Sequence, residues 1–127
     1  MIIGIGIDIV EVERIKKIIH KYDTLFMNRI YTPFEIDLSK KYKDNTIFFA
    51  GRWATKEAFS KAIKTGIGNY CKWNEINVLK DKYHRPIITI TGDTKNYVDQ
   101  LKIKNIHISI THNRIYVYSN VILERWK

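Results

Sequence analysis

The chain has 127 residues and one cysteine, with 22 Lys+Arg against 13 Asp+Glu, a formal charge of +9. That length makes one domain, 1–127, the starting expectation, and a hydrophobic fraction of 45% excludes a chain disordered by composition. A lone Cys71 excludes an internal disulfide and a cysteine-cluster zinc site, which fits a reducing, cytoplasmic setting.

Met1 to Val10 is the most apolar run. It is interrupted by Asp8 and is about half the ~20 residues a spanning helix needs, so no membrane span is expected. It also lacks the basic start and small-residue cleavage site of a signal peptide. Ile3, Ile5, Ile7 and Ile9 alternate with Gly4, Gly6, Asp8 and Val10, the period of a strand. The glycines share Asp8's face and would leave space for a ligand to approach the backbone.

From Glu11 to Tyr22 the period changes to helical, with Val12, Ile15, Ile18, Ile19 and Tyr22 as the apolar stripe. Arg14, Lys17 and Lys21 fall on another face, either a solvated surface or a basic docking ridge. Thr32-Pro33-Phe34-Glu35 reads as a helix start, with threonine as cap and proline in the first turn. Thr46–Thr65 is the longest helix candidate. It holds all four alanines of the chain, Ala50, Ala54, Ala58 and Ala62, on one smooth ridge suited to close packing. Gly66 is the expected cap at its end. Two strands follow, Glu75–Lys80 and Pro86–Thr91, around a turn at Asp81–Arg85. A short helix is expected over Asp93–Leu101, then strands over Asn105–Thr111 and Ile115–Leu123 joined at His112–Arg114. This order predicts a compact α+β domain.

Three constellations could carry chemistry. Asp8 is a carboxylate in an apolar strand, costly to bury unless paired or bound to a cation; the plainer reading is a strand-end Asp facing water or an arginine. Glu57 and Lys61 stand four apart on one helix face, as a surface ion pair or as part of a site. Asp8 with Glu57 would make a hard-oxygen pair suited to Mg²⁺, which takes one or two carboxylates and completes its shell with water and phosphate. His112 sits where a strand becomes a turn, and the four histidines show no zinc-binding spacing. Gly4-Ile5-Gly6 starts like a dinucleotide fingerprint but does not complete it, and no P-loop or G-x-S-x-G is present.

Taken together, Gly4-Ile5-Gly6-Ile7-Asp8-Ile9-Val10-Glu11 with Arg14-Ile15, then Ala50-Gly51-Arg52-Trp53-Ala54-Thr55-Lys56-Glu57-Ala58-Phe59-Ser60-Lys61-Ala62, then Thr65-Gly66-Ile67-Gly68 and Ser109-Ile110-Thr111-His112 resemble the holo-acyl-carrier-protein synthases. These are the short, trimeric type of 4′-phosphopantetheinyl transferase, and the resemblance runs nearly end to end. It implies a mainly antiparallel sheet wrapped around one long central helix. It implies transfer of 4′-phosphopantetheine from coenzyme A to a serine of acyl carrier protein, for fatty acid biosynthesis. Asp8 and Glu57 would hold Mg²⁺, and Lys61 would neutralise phosphate charge as a third catalytic residue. Arg52, Gly66, Gly68, Pro86 and His112 would bind coenzyme A, with His112 reaching across a subunit boundary. Arg14, Lys17 and Lys21 would meet the acidic carrier protein. The turn before Pro86 reads Tyr83-His84-Arg85 where that family commonly has a glycine.

Two other classes compete. A basic nucleic-acid-binding module would use the eight tyrosines, three tryptophans and +9 charge. Its aromatics and lysines are scattered, however, and it gives Asp8 and Glu57 no role, so no nucleic-acid partner is expected. A structural interaction protein would make every ion pair a surface feature.

Overall fold

The structure, a computed structural model, describes residues 1–22 and 24–126. The elements in chain order are β1 (Ile2–Glu11), α1 (Val12–Lys21), α2 (Thr24–Ile30), α3 (Pro33–Ser39), α4 (Thr46–Ala62), a 3₁₀ turn at Trp73–Glu75, β2 (Ile76–Lys80), β3 (Pro86–Ile90), α5 (Gly92–Asp99), β4 (Ile103–His112) and β5 (Tyr116–Arg125). The strands form two antiparallel sheets, a three-stranded one in the order β1-β5-β4 and a two-stranded β2-β3 hairpin. Helix α4 packs on β1, β5 and β2. This is the expected α+β arrangement of antiparallel strands around one long helix, with the sheet divided in two.

The glycines of β1 serve a different purpose from the one expected. A Cβ on Gly4 would overlap the carbonyl oxygen of Ala62, and one on Gly6 the carbonyl oxygen of Ala58. The space beside Asp8 is therefore filled by helix backbone, not by a ligand. The alanine ridge is the other half of that contact, with Ala50, Ala54, Ala58 and Ala62 all buried. Bare backbone against small side chains lets α4 lie directly on β1, which fixes Asp8 relative to Glu57 and Lys61. The opposite face of β1, with Ile5, Ile7 and Ile9, is exposed.

Local chemistry explains the shorter elements. Thr32 caps α3 by accepting the Glu35 N–H, and Glu35 reciprocates at the Thr32 N–H, a full capping box with Pro33 in the first turn. Helix α4 ends earlier than expected. Lys64 takes a left-handed φ of 71° before Gly66 does so at 67°, and the N–H groups of Thr65 and Gly66 both reach the Ser60 carbonyl. In the β2-β3 turn His84 adopts φ 64°, the conformation glycine provides at no steric cost. Asp81 compensates by accepting the N–H groups of Tyr83 and Arg85 and the Arg85 Nε–H.

The apolar core lies on both sides of α4. One cluster joins Ala58, Phe59 and Ala62 to Ile76, Val78, Val121 and Leu123. The other joins Phe48, Phe49 and Ala54 to Val10, Ile15, Tyr31 and Val117. No helix among the described residues is long and apolar enough to cross a membrane.

Candidate active site

Three elements bring the acidic and basic groups together. Asp8 stands in β1 opposite the buried Ser119 of β5, and Ser119 Oγ lies 2.8 Å from Thr55 Oγ1 on α4. Glu57 and Lys61 project from the same helix one turn apart. Lys61 pairs with Asp8, not with Glu57: its Nζ donates to Asp8 Oδ1 at 3.1 Å and to the Ile7 carbonyl at 3.0 Å. Partial burial holds the Asp8 carboxyl above the usual carboxylate range even though Lys61 and Arg14 pull it down. Glu57 is raised as well, by burial first and then by the negative charge of Asp8.

Two half-buried carboxylates, both raised by burial and Glu57 further by the charge of Asp8, suit a hard cation, which would relieve both. Among the described residues no group of three or more His, Cys, Asp and Glu side chains gathers. The donor set thus fits an ion such as Mg²⁺, content with one or two carboxylates and water, and not a protein-caged zinc.

A cleft of about 410 Å³ opens between the first half of α4, the β2-β3 hairpin and the end of β4. Arg52, Pro86 and His112 all line it, and Asp8, Glu57 and Lys61 are not among its lining residues. Arg52 Nε donates to the Val78 carbonyl at 3.2 Å, and its guanidinium lies 3.8 Å above the Phe48 ring. Across the cleft the Lys80 Nζ donates to the Tyr42 hydroxyl at 2.6 Å. That ammonium holds the Tyr42 phenol below its ordinary pKa. Neither Arg52 nor Lys80 has a carboxylate within 4 Å among the described residues. The one acid on the cleft wall, Asp44, is engaged by the Thr46 N–H at the start of α4. Two cations without counter-ions, an aromatic floor and two histidines form a receptor for an anionic ligand with a flat ring.

The remaining sequence-derived residues lie elsewhere. Gly66 and Gly68 are not on this cleft; they follow α4 beyond Lys61, in a loop closed by paired backbone bonds between Gly68 and Cys71. Cys71 is buried and its thiol is pushed up to about 12, chiefly by burial, so it is inert. Arg14, Lys17 and Lys21 are exposed along α1. Arg14 is tied to the site, its guanidinium 5.8 Å from the Trp53 ring, which itself packs 4.7 Å from Trp73.

Sequence reasoning missed Tyr42, Phe48, Lys80 and His84 as cleft residues. The four-residue spacing of Phe48 and Arg52 on a helix was the one available signal; nothing local linked Tyr42 to Lys80. It also missed the buried pair of Lys56 and Glu35, whose side chains are fully shielded from solvent.

Comparison with known proteins adds an independent finding. The profile of the 4′-phosphopantetheinyl transferase superfamily matches residues 4–114. A holo-[acyl-carrier-protein] synthase of Vibrio cholerae is 39% identical over 125 residues, covering 98% of this chain and 99% of the relative. Among solved structures, a holo-(acyl-carrier-protein) synthase of Bacillus anthracis in complex with CoA (3′,5′-ADP) superposes with a TM-score of 0.83 at 38% identity, covering 99% of both chains. The synthase of Neisseria meningitidis superposes with a TM-score of 0.91 at 30% identity, covering 98% of this chain and 100% of the other.

Proposed function

This chain belongs to the 4′-phosphopantetheinyl transferase superfamily, and from that premise we infer that it is a holo-[acyl-carrier-protein] synthase. It transfers 4′-phosphopantetheine from coenzyme A to a serine of apo acyl carrier protein, releasing adenosine 3′,5′-bisphosphate. The observation that carries the reading is the meeting of Asp8, Glu57 and Lys61 where α4 lies on β1, on a chain whose α4 also lines, with Phe48, Gly51 and Arg52, a cationic, aromatic-floored cleft.

In the transfer, the serine oxygen attacks the β-phosphorus of the coenzyme A diphosphate. A new P–O bond forms while the bond to the bridging oxygen breaks. Asp8 and Glu57 would hold Mg²⁺, which when bound would supply charge neutralisation for the transferring phosphoryl group. Lys61 lies on the same helix face and offers its ammonium to the phosphate oxygens as their charge develops. Arg52, with Pro86 and His112, seats the adenosine bisphosphate end in the cleft, assisted by Lys80 and Tyr42. The Gly66–Gly68 loop, whose backbone carries little side-chain bulk, lies along the remainder of coenzyme A. Arg14, Lys17 and Lys21 dock the acidic carrier, with Arg14 placed on Trp53 next to the reacting groups.

The exposed apolar face of β1 supports a homotrimer with sites at its interfaces. Ile5, Ile7 and Ile9 are 63%, 60% and 49% exposed, and large contiguous apolar surfaces are normally covered by a partner. The single transferase domain is taken to span 1–127, working in the cytoplasm in fatty acid biosynthesis.

The test is the intact mass of an apo carrier protein after incubation with this protein, coenzyme A and Mg²⁺, with a chelator control. A gain of one phosphopantetheine that the chelator abolishes is expected. No gain with several carriers, together with no binding of coenzyme A, would overturn the reading.

A further inference from the structure

The Lys61 ammonium occupies an oxygen environment of the kind a hard cation uses. It lies between Asp8 Oδ1 at 3.1 Å and the Ile7 carbonyl at 3.0 Å. Facing it, the Glu57 carboxylate receives no hydrogen bond from any described residue; the one side-chain bond made to Glu57 goes to its backbone carbonyl, from Ser60. That carboxylate is half-buried with its oxygens open to solvent, so a cation can reach it without displacing a protein donor. The Lys61 side chain is 50% exposed and that of Asp8 16%. The lysine can therefore leave for water at little cost in packing, while the carboxylate stays fixed on its strand.

We propose that Lys61 is an exchangeable counter-ion. It holds Asp8 in the metal-free protein and gives that carboxylate up to the divalent cation, after which its ammonium is free for the substrate phosphates. Metal binding and lysine release are then one event, and the catalytic charge reaches the phosphates only when the cation is in place. The inference rests on the cation reading of Asp8 and Glu57 and adds a direction to it. Lysine and metal compete for Asp8, so removing the lysine tightens metal binding although it damages transfer. A lysine serving only the phosphates would leave the metal affinity of substrate-free protein unchanged. One that merely orients Asp8 for the metal would, when removed, weaken it.

The experiment is a titration of substrate-free protein with Mn²⁺, a paramagnetic stand-in for Mg²⁺, followed by electron paramagnetic resonance. Wild type, Lys61→Met, Lys61→Ala and Asp8→Asn are compared. The methionine variant keeps most of the apolar stem and so retains the packing that the alanine variant loses. Binding about tenfold tighter in Lys61→Met than in wild type is expected, the size of one partly screened repulsion between like charges, with binding lost in Asp8→Asn. Equal or weaker binding in both lysine variants, while Asp8→Asn still abolishes it, would overturn the exchange and leave the metal site standing. Binding that ignores Asp8→Asn, or no binding in any of the proteins, would overturn the metal site itself and the exchange with it.

Discussion

Helix α4 carries two lysine–carboxylate pairs, at Lys56 and Lys61, on faces about 140° apart around the helix. In the first, the Lys56 Nζ donates to Glu35 Oε1 at 2.6 Å, the Ile30 carbonyl at 2.6 Å and the Trp73 carbonyl at 2.9 Å. All three ammonium protons are used. Glu35 in turn accepts the N–H groups of Thr32 and Val78. Both side chains are fully buried, and burial pushes the Lys56 pKa down although Glu35 opposes it. In the second, Lys61 makes two bonds and stands half in solvent. The difference separates structure from function. A closed pair has no valence left for a ligand and ties α2, α3, the 3₁₀ turn and β2 to the helix. An open pair leaves the carboxylate oxygens and ammonium protons that a cation and a phosphate need.

The comparison breaks most sharply at Lys56. Lys56→Ala leaves the Glu35 carboxylate buried without the lysine counter-ion and takes a donor from the Ile30 and Trp73 carbonyls, of which Trp73 keeps the Ile76 N–H. A loss of about 3–5 kcal/mol in urea unfolding is expected, the usual size for removing one partner of a buried pair. Lys56→Met combined with Glu35→Gln removes the unpaired charge while keeping an acceptor for a backbone N–H. It should lose less than Lys56→Ala. A Lys56→Ala protein within 1 kcal/mol of wild type would mean that the two pairs do not differ in kind.

The next effect lies where α4 meets β1. Gly6→Ala forces a Cβ onto the Ala58 carbonyl and must push strand and helix apart, costing roughly 1–3 kcal/mol or more. Gly68→Ala meets nothing within 4 Å and should stay within ~0.5 kcal/mol. Equal melting temperatures for the two variants would remove the close contact as the device that aligns Asp8 with Glu57.

These two regions also show how far the sequence could be read. Alternation in β1, the alanine ridge, the Thr32–Glu35 cap and the β2-β3 turn were legible, because each is written in neighbouring residues. So were Asp8, Glu57 and Lys61, as chemistry without partners. What Gly4 and Gly6 are for was not legible, since an empty face beside Asp8 is equally open to a ligand or a helix until the helix is placed. The partner of Lys61 was not legible for the same reason: Glu57 is near in sequence, but Asp8 is the carboxylate it meets in space. Lys56 and Lys80 carry no local mark, because their partners are 21 and 38 positions away.

Glu57→Gln has a smaller effect on stability, and its sign is informative. Glu57 is raised above its unfolded value, so the folded state holds that proton to higher pH. The corresponding stability is fully present below the unfolded carboxylate pKa of about 4 and is lost as pH rises through the folded value. A neutral glutamine has nothing to lose. In metal-free protein at pH 7 Glu57→Gln should therefore melt roughly 1–3 °C above wild type, the two curves converging near pH 4, while transfer to the carrier is abolished. A variant that melts below wild type at neutral pH would show that Glu57 is held by stabilising bonds, as Glu35 is, and would place it with the closed pair.

Lys61→Ala should have the smallest effect on stability and the widest gap between stability and activity. A pair whose lysine stands half in solvent contributes ~1 kcal/mol or less, because water screens the attraction and the ordered lysine regains its rotamers. Loss of its ammonium leaves only Arg14 to oppose the effect of burial on Asp8, so the carboxyl titrates still higher in the metal-free variant. That acidifying cost offsets part of the entropy regained, and the melting temperature should scarcely move. The transfer step loses a cation placed where charge develops, which costs kcat about 10²–10³-fold when such a group is removed. The KM for coenzyme A should change far less, since the seat proposed for its other end is the cleft that Arg52 and Lys80 line. Saturation kinetics and a melt on the same preparation read both quantities. A large loss of stability with an unchanged kcat would reverse the assignment and make Lys61, like Lys56, a residue that holds the fold.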